Sequence, residues 1–316
     1  MQKKLENYFS VSMKHKDNRK CFIYDPANYK ATFENHPVEG DRFLSIKLGI
    51  SLYYRPHMEV FPELPIVDTK ISIPLLKSNL QKAIRRSYTT IAIQTALAII
   101  QKDPIELLRR LPIIYIEDIC LMDSYSIVVW LMMAEKDHVL DTMDIHILLH
   151  CVKSLCECPT YYDDLADYMT IDKLSHEFIQ DSLDAVIAVY YRSQYGGTKG
   201  DMKMLQNAVY YYKEHSSEIG KTEYHTIDYH SIMDSVEILP EAIDFHPFPY
   251  MLTILQKKTR MEKDMIKEWI WFTESAVNIR KQYTMDKSNE MMETDEWKAI
   301  SYFLDNVRNY VIFPFI

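Results

Sequence analysis

The sequence predicts a mainly α protein: a multi-helix globular body, residues 76–316, preceded by a smaller mixed or extended N-terminal region, residues 1–75. Three observations carry this. Six of the 13 prolines fall within the first 75 residues, which interrupts regular structure there. Apolar residues return at helical spacing through most of the remaining chain. Only six glycines stand against 23 tyrosines, a balance that favours ordered packing over flexible low-complexity sequence.

The elements follow in order. FLSIKLGISLYY at Phe43–Tyr54 alternates in part and is rich in β-compatible residues, so it reads as strand followed by a proline-rich connection. From Leu80 the sequence LQKAIRRSYTTIAIQTALAIIQK reads as a helical stretch whose internal face holds Ile84, Ile91, Ala92, Thr95, Ala98 and Ile99. Asp103 is placed to cap a second helical stretch, with Pro104 at its first position and Glu106 where a capping box puts an acid. That helix is expected to end or bend near Pro112. Further helices are predicted over Ser126–Ala134, His138–Leu155, Leu174–Tyr191, Asp201–Lys213, Tyr250–Ile279 and Thr294–Tyr310. No exact repeat and no sustained heptad is present.

Composition narrows the class. At 316 residues and 47% hydrophobic content the chain can bury a substantial core. Cys21, Cys120, Cys151, Cys156 and Cys158 show no secreted disulfide framework and follow no signal pattern, so an intracellular protein is expected, nucleus and cytoplasm undistinguished. The apolar run Ile91–Ile100 is too short to span a bilayer, and no membrane partner is expected.

Net charge is -9, yet the charge is segregated. Residues 77–112 carry seven basic and two acidic residues, whereas residues 135–184 carry three basic and 12 acidic. Lys82, Arg85 and Arg86 share about a 100° sector of a helix. Arg109 and Arg110 precede Pro112, where cations complement a helix C-terminus and can also reach an anion. This group supports phosphate or nucleic-acid binding, and equally supports ordinary solubility, domain packing or protein contact.

Other segments offer chemistry. In YGGTKGDMKML, Tyr195–Leu205, the glycines allow positive-φ turns and Lys199 could hold phosphate, while Asp201 could cap the next helix. The order matches neither GxxxxGK[ST] nor GxGxxG, so neither nucleotide fold follows. In LPEAIDFHPFPY, Leu239–Tyr250, Glu241, Asp244 and His246 include acid, base and ligand types, with Asp244 and His246 the catalytic candidates beside a simple rigid-loop reading. His146, His150 and Cys151 lack a zinc-finger spacing, and His225 and His230 near Asp228 and Asp234 lack the HExxH pattern; no metal and no cofactor is expected. Lys257, Lys258, Arg260, Lys263 and Lys267 read as a solvated helix face. Trp269 and Trp271 beyond them cannot both stack on one helical surface, and core packing suits at least one ring.

LQKAIRR followed by DPIELLRRLPIIYIEDICL locally resembles the helical C-terminal region of RarA/MgsA-type replication ATPases. The resemblance covers roughly 15% of the chain and implies an oligomerising helical region associated with DNA replication, in which Arg85, Arg86, Arg109 and Arg110 serve interactions and Glu117 and Asp118 serve helix-end packing. No Walker A motif accompanies it, so ATPase activity is not implied. The expected function is a non-ATPase accessory or scaffold protein in a nucleic-acid process, with DNA or RNA, a protein partner or a second copy as its partner. A phosphotransfer or phosphate-hydrolysis enzyme and a purely structural oligomer are the alternatives.

Overall fold

The computed structural model describes residues 21–58, 61–67, 69–161, 174–179, 181–224, 227, 235–243 and 248–312. It is mainly α, with thirteen α-helices and one four-stranded sheet among those residues. The strands are β1 (Cys21–Asp25), β2 (Lys30–Glu34), β3 (Arg42–Lys47) and β4 (Ile50–Tyr54). The helices are α1 (Ile73–Arg85), α2 (Thr89–Lys102), α3 (Pro104–Asp118), α4 (Tyr125–Met133), α5 (Thr142–Glu157), α6 (His176–Ile179), α7 (Asp184–Gln194), α8 (Lys199–Glu214), α9 (Pro240–Ile243), α10 (Phe248–Thr259), α11 (Lys263–Ile270), α12 (Gln282–Met292) and α13 (Asp295–Ile312). No helix among the described residues is long and apolar enough to cross a membrane.

The chain forms two compact units, each assembled from separate stretches. One comprises residues 1–61, 121–144 and 164–221; the other comprises 62–120, 145–163 and 222–316. A division at residue 75 therefore does not coincide with the compact units. The sheet needs later helices to cover its apolar residues, so the N-terminal strands share a unit with α4, α7 and α8.

In the first unit the sheet order is β2-β1-β4-β3, with β1 and β4 parallel and the outer pairs antiparallel. The expected strand segment is a hairpin. Leu48 and Gly49 both take positive φ, 50° and 79°, as a tight two-residue turn matched to strand twist requires. Phe22, Ile23 and Tyr24 of the central β1 are fully buried. Trp130 of α4 donates its indole N–H to the Phe22 carbonyl at 3.0 Å, and all nine residues of α4 are buried, as a sequence apolar all round except for Ser126 demands.

In the second unit, the stretch read as one helix from Leu80 to Lys102 is two. Ser87 takes φ 57°, a left-handed conformation that ends α1, and its hydroxyl donates to the Cys156 carbonyl at 2.6 Å. Asn79, fully buried, donates to Thr95 Oγ1 and to the Glu237 carbonyl, both at 2.9 Å, and accepts from the Leu239 amide. Asp103 caps α3 as expected, accepting from the Ile105 amide at 3.2 Å. Pro112, however, does not end that helix: α3 continues to Asp118. Leu108, Leu111, Ile113, Ile114, Tyr115 and Ile116 are all buried, and their burial outweighs the roughly 3 kcal/mol cost of an internal proline. Further along, Met251, Leu255, Ile266, Ile270, Trp297, Ile300, Leu304 and Val307 form a core between α10, α11 and α13.

Candidate anion-binding cleft

The second unit contains a cleft of about 320 Å³ lined by Pro74, Lys77, Ser78, Gln81, Lys82 and Arg85 of α1, Arg110 and Glu117 of α3, and Trp271. Helical spacing explains the first set, because positions 77, 81 and 85 and positions 74, 78 and 82 stack along one side of α1. Trp271 begins a π-helical turn, Trp271–Ser275, directly after α11. Two helical positions apart, the rings face opposite sides: Trp269 packs on the α10–α13 core while Trp271 remains 43% exposed at the cleft.

The cleft floor is a network of charges. Arg85 donates from Nε to Asp118 Oδ1 at 2.5 Å, from Nη1 to the Ser275 carbonyl at 2.7 Å and from Nη2 to Glu117 Oε1 at 3.3 Å. Burial opposes its charge, but Asp118 and Glu117 outweigh that and keep it protonated. Gln81 donates to Asp118 Oδ2 at 2.6 Å and to Glu117 Oε2 at 3.0 Å, and its carbonyl oxygen accepts from Arg110. Burial and the neighbouring Asp118 charge push the Glu117 pKa up from its ordinary value against the pull of Arg85 and Arg110. Lys77, a third exposed, pairs with Glu106 at 2.5 Å, and Lys82 donates to Ser78 Oγ at 3.4 Å.

The six expected anion-binding residues thus divide. Lys82, Arg85 and Arg110 meet in the cleft. Arg86 turns instead to the Glu274 carbonyl and to Glu241 at 3.5 Å. Arg109 is exposed and does not line the cleft; with α3 continuing to Asp118, Arg109 and Arg110 lie mid-helix rather than at a C-terminus. Lys199 belongs to the first unit, exposed at the start of α8.

The glycine turn before α8 is held by the protein itself. Gly196 and Gly197 take φ 99° and 150°, and buried Arg192 donates to the Gly196 carbonyl at 2.9 Å. The cap is Thr198, whose hydroxyl accepts from the Asp201 amide at 3.2 Å; Asp201, the residue expected to cap, sits in the first turn. Asp244, His246, His225, His230, Asp228 and Asp234 lie outside the described residues. His146 is buried, with burial lowering its pKa, and faces the Pro62 carbonyl at 3.3 Å; the His150 ring meets Tyr224 edge-on. The cations between Lys257 and Lys267 are exposed, as a solvated face requires.

Two groupings had no local signal in the sequence. Lys77 and Trp271 join the cleft from positions about 190 residues apart in the chain. In the first unit, Asp144 is fully buried, accepting from Tyr24 at 2.8 Å while its other oxygen lies 2.7 Å from His138 Nε2. Asp141 and Asp144 also exchange backbone-to-carboxylate bonds at the start of α5. This second network runs from buried Asp144 out to the partly exposed Asp141 and fixes that helix start against the strand residue Tyr24. Comparison with known protein families, curated proteins and solved structures returns no match.

Proposed function

We propose that the chain is a non-ATPase accessory protein of a nucleic-acid process, and that its cleft holds one nucleotide unit of a single strand. The phosphate lies against Lys77, Lys82 and Arg110, and the base against Trp271. One observation carries this reading: four cations, a single carboxylate and an exposed indole share one cleft. Behind them stand Glu106 and Asp118, so the cations still exceed the carboxylates by one. The volume suits one ligand-sized group. A duplex would need a broad contact surface of roughly 1,000 Å² instead. Base stacking on an aromatic ring is tolerant of sequence, which fits a chain with no evident base-reading code.

Fluorescence anisotropy with a labelled single strand and a matched duplex, at several salt concentrations, tests the proposal. Saturable, salt-sensitive binding is expected for the single strand and weaker binding for the duplex. Arg110→Ala should weaken single-strand binding by about tenfold and lower the salt slope by about one. Glu117→Gln should tighten it by roughly threefold, because it removes a carboxylate charge from the cleft lining. Unchanged affinity in both variants would remove the cleft from the function.

A further inference from the structure

Cys120 and Cys158 follow the ends of α3 and α5 in the second unit, and their sulfurs lie 3.7 Å apart. A disulfide needs about 2.05 Å, so closure requires less than 2 Å of combined movement by side chains on two loop residues. Their surroundings differ in a useful way. Cys158 is partly exposed, whereas Cys120 is 1% exposed behind it.

Arg280 organises this corner. Its guanidinium donates to the carbonyls of Cys158 at 2.5 Å, Cys156 at 2.6 Å and Leu155 at 3.0 Å, and on the other side to Ile84 at 3.0 Å and to Ser87 Oγ at 2.9 Å. A helix C-terminus alone disfavours an anion, because its last carbonyls point negative charge outward. Here Arg280 occupies those carbonyls and brings a positive charge beside the sulfurs. The hydrogen bond from Cys120 leads in pulling the Cys158 pKa down to about 6, against burial, with Thr160 and Arg280 adding to it. Two residues away, burial pushes Cys156 up to about 12. Neighbouring thiols therefore have opposite reactivities.

We propose that Cys158 and Cys120 form a peroxide-reactive dithiol site, with Cys158 the attacking sulfur and Cys120 the resolving one. The Cys158 thiolate attacks hydrogen peroxide: an S–O bond forms, the O–O bond breaks, and the departing hydroxide takes a proton and leaves as water. The Cys120 sulfur then attacks the Cys158 sulfur of the sulfenic acid. An S–S bond forms, the S–OH bond breaks, and that hydroxide leaves as a second water with the Cys120 proton. Two cysteines are oxidised to one disulfide and one peroxide is reduced to two waters. Exposure places the peroxide at Cys158, and burial of Cys120 behind it reserves the second step for an internal thiol.

The test treats the full-length, reduced protein with hydrogen peroxide near neutral pH, blocks remaining thiols and maps the cysteines by peptide mass spectrometry. A peptide linking Cys120 to Cys158 is expected as the main oxidised product, reversed by dithiothreitol, with Cys21, Cys151 and Cys156 recovered as thiols. In Cys120→Ser, a sulfenic-acid probe should accumulate on Cys158. A second measurement uses the unsubstituted protein alone: Cys158 alkylation by iodoacetamide should rise with pH to a plateau with its midpoint near 6, since only the thiolate reacts. The groups facing that titration are Cys120, Thr160 and Arg280, with Cys156 and Asp118 around the same guanidinium. Pairing of other cysteines, or an alkylation midpoint near the ordinary thiol value together with no Cys120–Cys158 peptide, overturns the proposal.

Discussion

Arg85 holds a buried charge whose partners are all protein groups, and that decides what its removal does. With Arg85 8% exposed and its guanidinium 2.5 Å from Asp118, truncation leaves the buried Asp118 carboxylate without its charge partner, held by the Gln81 amide alone, and the Ser275 carbonyl without its donor. Breaking a buried pair from one side typically costs about 3–5 kcal/mol. Arg85→Ala should therefore lose about that much in urea unfolding, whereas Arg109→Ala, on the exposed side of α3, should stay within about 0.5 kcal/mol. Equal, small effects would mean that the Arg85 network adds nothing to stability. The contrast also shows why one paired-arginine motif cannot be read as one surface. The cations are visible in the sequence, but Asp118 and Ser275 stand 33 and 190 positions from Arg85, and nothing local to Arg85 announces them.

Single helices show where local signals suffice and where packing overrides them. Asp103 and Pro104 place the start of α3 by short-range chemistry alone, and the Asp103 cap forms, whereas Glu106, at the capping-box position, pairs with Lys77 instead. Its end depends on burial of a face that no four-residue window contains. Pro112 lacks the N–H that would bond to the Leu108 carbonyl, yet the helix runs six residues further. Pro112→Ala restores that donor and relieves the ring's clash, offset by the greater freedom alanine gives the unfolded chain and by the loss of two ring methylenes at a buried position. A net gain below about 1 kcal/mol is expected from chemical denaturation. A loss of stability would show instead that the backbone there is adapted to proline. The same override accounts for the split at Ser87. The periodicity of α1 and α2 is nearly continuous, but a left-handed residue bonded to the Cys156 carbonyl turns the chain.

For the whole molecule, the helical class is legible because apolar periodicity survives in nearly every segment, while the grouping of segments is not. Local patterns separate a proline-interrupted N-terminus from a helical body, but the energetics of burial join the strands to helices more than a hundred residues later. Phe33 stacks between Phe22 and Tyr191, and its amide donates to Asp184 at 2.8 Å. Trp130 sits on the Phe22 carbonyl within α4, a helix with no polar face to offer water. Deleting residues 1–61 should therefore strip the partners from α4 and α7 rather than release an independent helical body. Burying a large apolar side chain contributes roughly 1.5–3 kcal/mol, and the loss of Phe22, Ile23, Tyr24, Ile50 and Leu52 together would exceed the whole stability of an ordinary domain of about 5–15 kcal/mol or come close to it. The truncated chain is expected to bind a hydrophobic dye, to lose near-ultraviolet circular dichroism and to melt without a cooperative transition. A sharp transition with no dye binding would mean that the strands are an appendage, and that α4 finds its cover elsewhere in the chain.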